Sequence, residues 1–226
     1  MIAGVLALGL AAVFALAAGA GDTAAAIAPY LQARDQGRTG AVTGEAFAEP
    51  TRPTGAPTPY PAVSVMLVPS DHTLEAELDR IRGAIRESPR AYFASAEHLR
   101  TVQEGYEREL VFAGGGELVR GEVSDAAGRF RFTDVPAGSW LLLAWREVPH
   151  TVSPRRVPGR DAETFFGNTE TKGYAARELW RQPVEVKPGE STAVRLHDRN
   201  VWVTVVREDR HLPPKTPEGP PSLKRR

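Results

Sequence analysis

Residues 120–140 read RGEVSDAAGRFRFTDVPAGSW, and the spacing of their apolar side chains decides the fold. Phe130 and Phe132 fall on one face of an extended segment while Arg129 and Arg131 fall on the other, the period-two signature of a half-buried strand. Asp125-Ala126-Ala127-Gly128 carries turn chemistry, so 117–125 and 128–135 are expected to form a hairpin. A second turn at Pro136-Ala137-Gly138 leads into SWLLLAWREV at 139–148. That stretch is too continuously apolar for an edge and reads as a central strand.

The same pattern extends outward on both sides. AVTGEAFA at 41–48 and AVSVMLV at 62–68 are strand-like, with Val63, Val65 and Leu67 on one face, and a Pro-rich loop at 49–61 separates them. PVEVKPGESTAVRL at 183–196 gives two strands about Pro188-Gly189, and NVWVTVV at 200–206 gives another, with Val201, Val203 and Val205 directed at the core. Short strands with one apolar face each must meet a second sheet, so the expected class is mainly β, an antiparallel sandwich of seven to eight strands. One region departs from this. Leu74, Leu78, Ile81 and Ile85 recur at helical spacing, with Ser70 or Asp71 as N-cap. Ser88-Pro89 opens a second helix whose stripe runs through Phe93, Ala96, Leu99, Val102, Tyr106 and Leu110 to the stop at 114–116. A helical hairpin at 70–112 is therefore inserted into the sandwich.

The ends differ from this middle. Residues 2–18 carry no charge, and Ala18-Gly19-Ala20 has the small-residue spacing of a signal-peptidase site, so 1–20 is expected to be a signal peptide, or a membrane anchor through 2–18 if uncleaved. Residues 21–38 read as an Ala-rich linker interrupted by Pro29, with order beginning near Thr39. The tail at 207–226 has Pro at 213, 214, 217, 220 and 221 and closes on Lys224-Arg225-Arg226, which predicts a disordered basic end. The folded unit is thus 39–206, and the chain is expected to be exported, periplasmic or extracellular.

Composition narrows the function. Lys plus Arg number 28 against 28 Asp plus Glu, so there is no global cationic excess for nucleic acid, and no nucleic-acid partner is expected. Cys is absent, which excludes disulfides, thiolate metal sites and Cys nucleophiles. Gly and Pro together make about 18% of the chain against a usual ~12%, favouring many turns.

The 120–140 run resembles the carboxypeptidase regulatory-like domain, a transthyretin-like sandwich grouped with carbohydrate-binding-like folds. The resemblance lies in Asp125, Gly128, Phe130, Phe132, Val135, Pro136, Gly138 and the apolar strand at Leu141 to Leu143. Val42 and Gly44 followed by Val63, Val65 and Leu67 look like the family's opening hairpin, and Val184, Val186 and Gly189 like its penultimate strand. The resemblance covers 39–206 without the helical insertion, and the helices and the long 149–182 segment are additions to it. It implies a non-catalytic module.

No catalytic residue, metal ligand or cofactor site emerges from the residues themselves. The five His at 72, 98, 150, 197 and 211 stand without a nucleophile-base pattern or paired metal-ligand spacing. The expected function is an exported, non-enzymatic sandwich module acting through protein or cell-surface contacts. The alternative is a carbohydrate-binding module, because aromatic rings stack on the apolar faces of sugars. Its candidate residues are Phe165, Phe166, Tyr174 and Trp180 in a loop spanning 150–182, basic at its start through His150, Arg155, Arg156 and Arg160, with an unidentified protein or glycan as partner. Trp140 and Trp145 have opposite strand parity, so one of them is expected to leave the core.

Overall fold

The computed structural model describes residues 8–52, 54–151 and 170–211. Among them it is mainly β, with two sheets, three α-helices and no closed barrel. The chain runs α1 (Leu8–Asp35), β1 (Thr39–Ala48), β2 (Thr58–Pro59), β3 (Ser64–Pro69), α2 (His72–Ala84), α3 (Pro89–Phe112), β4 (Arg120–Val123), β5 (Arg129–Pro136), β6 (Gly138–Thr151), β7 (Glu170–Val186), β8 (Ser191–His197) and β9 (Val203–His211). Each segment read as a strand contains one among the described residues, and the two-residue β2 is an addition. One sheet has β1 at its centre, paired with β5, β8 and β2. The other has the order β4-β3-β6-β7-β9. The β1–β8 pair is parallel over seven residues, so the first sheet is mixed and not wholly antiparallel as expected.

Phe130 and Phe132 are buried edge-to-face with ring centroids 6.2 Å apart, and Arg129 and Arg131 face water, as the alternation required. They meet Val42, Val194 and Leu196 of their own sheet and the inward rows Val65, Leu67, Trp140, Leu142, Trp180 and Val184 of the other. The Asp125 turn forms as read: its carboxylate accepts from the amides of Ala127 and Arg129, and Gly128 takes φ 75°, where a Cβ would meet the Ala46 carbonyl oxygen at 2.2 Å. It does not close a hairpin, however, because β4 pairs with β3 while β5 pairs with β1. The expected hairpin of 41–48 with 62–68 is likewise absent, since β1 and β3 lie in different sheets. Turn residues fix where the chain reverses; strand partners are set by which apolar rows must face one another. Arg120 bridges the two layers instead, donating to the carbonyls of Thr133 at 2.7 Å and Asp134 at 2.9 Å.

The helical insertion forms as expected. Asp71 caps α2 by accepting from Thr73 and Leu74, and Ser88 caps α3 by accepting from Ala91. Leu74, Leu78, Ile81, Leu99 and Leu110 are buried, whereas Phe93, expected in the stripe, is 49% exposed. Both helices cover the outer face of the five-stranded sheet. Arg181 of β7 pairs with Glu75 and Asp79 of α2, and the Tyr106 hydroxyl of α3 donates to the Pro69 carbonyl at 3.0 Å. Burial pushes the Tyr106 phenol well above its ordinary value. This covering makes Val65, Met66, Leu67, Val68 and Leu141 to Ala144 buried on both faces of the sheet, which is why β3 and β6 lack alternation.

Two expectations about the chain's organisation change. The 21–38 segment is not a linker up to Asp35: α1 continues through Pro29, Ile27 and Ala33 are buried, and Tyr30 stands edge-on to Trp140 at 5.3 Å. The segment expected to be a loop up to Gln182 is strand from Glu170 onward, paired with β6. Its charges concealed it, because Arg146 pairs with Glu178 and Arg177 with Glu147 directly across the ladder, both at 2.6 Å. The uncharged run at 2–18 lies outside the residues whose side chains are described, as does the tail beyond His211.

Candidate surface groove

Of the four aromatic residues expected to bind a ligand, the side chain of Trp180 alone is described. Trp180 is a correction: it is fully buried, its indole N–H donating to the His197 carbonyl at 2.9 Å and its ring lying 6.4 Å from Tyr60. A ring with no exposed face has nothing to stack on a sugar. The sequence reading places it in a loop, whereas in β7 it shares strand parity with Val184 and Val186. Tyr174 lies in β7 opposite His150 and Glu208, but its side chain, like Phe165 and Phe166, falls outside what is described.

A different surface offers a cavity. Between α3 and the edge strand β4 runs a groove of about 670 Å³, lined by Ser64, Met66, Gln103, Glu107, Glu122 and Trp145 among others. Its construction follows from strand parity. Ser64 and Trp145 are register partners on the outer face, Met66 pairs with Gly121, and Val123 pairs with Ser64. Gly121 adds no side chain, and nothing lies within 4 Å of where a Cβ would stand. The sheet therefore presents Met66, Trp145 and the 60% exposed Val123 beside a bare backbone. The α3 wall contributes Gln103, whose amide donates to Glu107 Oε1 at 3.0 Å and approaches Met66 Sδ at 3.5 Å. Of the two Trp on β6, Trp140 is the core residue and Trp145 is half-buried, which resolves the parity conflict in the direction of this groove.

The groove thus combines an apolar floor with one carboxylate and a fixed amide, within the usual ~300–1,000 Å³ of ligand sites; Glu122 borders it through its backbone, because its register partner Val65 faces inward. The residues missed by sequence reasoning were Gln103 and Glu107. Their only sequence signal was position: Gln103 and Glu107 sit four apart on one helical face beside the apolar stripe.

A smaller cavity of about 430 Å³ lies on the open sheet, lined by Thr43, Glu45, Arg129, Arg131 and Arg195 among others. Glu45 stands between Arg129 and Arg195 in register. The Asp125 carboxylate 3.5 Å from Arg129 offsets a further charge, so this face has little net charge. At its end, Phe47 stacks with His197 at 5.7 Å, and Glu49 lies 3.4 Å from His197 Nδ1 and 2.8 Å from Arg199. The Glu49 amide donates to Asp198, holding that carboxyl below its ordinary value.

No family model matches this chain, and no curated protein matches it. Two solved structures are similar in outline. One, from Pseudomonas aeruginosa, is provisionally described as a carbohydrate binding protein; it is 16% identical, over 70% of this chain and 88% of its own, with a TM-score of 0.38. The other is the pilus backbone protein of Streptococcus pneumoniae, 14% identical over 69% of this chain and 40% of its own, with a TM-score of 0.26. Likeness this distant fixes no family.

Proposed function

We propose that this chain is an exported, non-catalytic β-sandwich module of the carboxypeptidase regulatory-like type, and that it works by contact through the groove between α3 and β4. The observation that carries the reading is the composition of that groove: a half-buried Trp145 and an exposed Val123 stand beside Gln103 and Glu107, in a cavity walled by the inserted helix. An apolar floor supplies affinity, and a few fixed polar groups supply orientation. The wall belongs to the insertion, the part of the chain additional to a plain sandwich, so specificity resides there. Binding of the purified chain to an envelope preparation tests this. Trp145→Ala combined with Val123→Lys is expected to weaken binding at least about tenfold, equivalent to ~1.4 kcal/mol; unchanged binding refutes the groove.

A glycan is the second reading, and one observation favours it: Trp145 is the aromatic ring of the groove, with a carboxylate acceptor at Glu107 in the same lining. Aromatic stacking with acceptors for hydroxyl groups is the chemistry sugars require. Titration of oligosaccharides followed by NMR should move the Trp145 indole N–H signal. Oligosaccharides that shift only other residues would exclude it.

A further inference from the structure

Val111 and Phe112 close α3 with 59% and 80% of their surfaces exposed, although Leu99 and Leu110 of the same helix are buried. Two adjacent large apolar side chains in water call for a partner. Their neighbourhood identifies one. A Cβ at Gly116 would stand 3.3 Å from Val111 Cγ2, and one at Gly115 would stand 2.6 Å from Ile27 Cδ1 of α1. Arg34 of α1 pairs with Glu117 on the same short segment. The exposed pair therefore flanks α1 at Ile27. Tracing α1 back toward its start, Asp22 is the last charge before an unbroken uncharged sequence from Ile2 to Gly21. At 1.5 Å per residue, Ile27 lies only about 10 Å from Ala20 along the axis.

We propose that Val111 and Phe112 form a lipid-contacting surface, entering the bilayer interface beside the N-terminal helix when that helix is retained as an anchor. This rests on the anchor alternative for 1–20 and goes beyond it, because it orients the sandwich: the C-terminal end of α3 faces the membrane, and Phe93 at the other end faces away. Nineteen residues of helix separate Phe93 from Phe112, about 28 Å, nearly the thickness of a hydrocarbon core. An apolar pair at a helix end adds interfacial affinity and fixes tilt.

The absence of native Cys permits a direct test on the full chain. Phe112→Cys, Phe93→Cys and Leu10→Cys are each labelled with an environment-sensitive nitrobenzoxadiazole and reconstituted into phosphatidylethanolamine–phosphatidylglycerol vesicles. The expected result is a blue-shifted emission at 112 and 10, quenched by spin-labelled lipid several-fold more than at 93. If the probe at 10 is quenched and that at 112 remains aqueous, the anchor stands and the lipid-contacting surface is overturned. If neither is quenched, the anchor itself fails and takes the inference with it.

Discussion

The sandwich has two outer faces, and they are built to opposite rules. On the open sheet, Glu45, Arg129, Arg131, Ala193 and Arg195 point to water, and exposed and buried residues alternate along 129–132 of β5 and 193–196 of β8. On the five-stranded sheet, Met66, Val68, Leu141 and Leu143 occupy the equivalent outward positions and are buried under α2 and α3. An unmodified sandwich has solvent on both sides; here one side has become a third layer, and the groove opens where that layer stops short of the edge strand β4. Covering a sheet thus stabilises it and also creates the concave surface that a flat sheet lacks.

The comparison breaks first if the covered sheet proves no more sensitive than the open one. Leu141, fully buried on the outward face under the helices, should lose ~2–5 kcal/mol on Leu141→Ala in denaturant unfolding. Arg131→Ala on the open face should stay within about 0.5 kcal/mol. Equal losses would remove the distinction. Next in size is Gly44→Ala. A Cβ there would come 2.0 Å from Phe130 Cζ, so the inner face of the open sheet must repack at ~1–3 kcal/mol; thermal unfolding measures it.

The contact between helix and sheet sharpens the comparison at Tyr106. Tyr106→Phe removes the bond to Pro69 and should lose ~1 kcal/mol. Because burial raises the folded phenol above its ordinary value of 10.0, the unfolded chain loses its proton first. Stability conferred by neutral Tyr106 is therefore full below pH 10.0 and falls above it, and the variant should flatten that alkaline limb in melting temperature against pH. The smallest effect belongs to Asp125 on the open side. Amide donors from Arg129 and Ala127 hold its carboxyl below the ordinary 3.8. Its contribution is present above that value and lost as pH falls through the lower folded one, so Asp125→Ala should lower stability slightly at neutral pH and flatten the acid limb, the two proteins converging in acid.

Much of this was legible beforehand, for identifiable reasons. Phe130 and Phe132 alternate with Arg129 and Arg131, and Asp71 and Ser88-Pro89 announce helix starts, so elements and their inward faces followed from periodicity and caps. Pairing did not follow. Asp125-Gly128, Pro136-Gly138 and Pro188-Gly189 all mark reversals, yet each passes the chain from one sheet to the other, and no local residue type encodes that choice. The groove was hidden for a related reason: Trp145, Gln103 and Val123 are far apart in sequence and meet only because α3 lies over β3 and β4. Trp180 misled because Arg177, Glu178 and Arg181 gave a strand the composition of a loop.

The account's central claim is that contact is made through the groove and not through the open sheet. Photo-crosslinking tests it most directly, with benzophenone attached at Val123→Cys beside the groove or at Arg131→Cys on the open face. A discrete adduct from position 123 and none from position 131 is the predicted result. An adduct from 131 alone, or equal labelling from both, would contradict it.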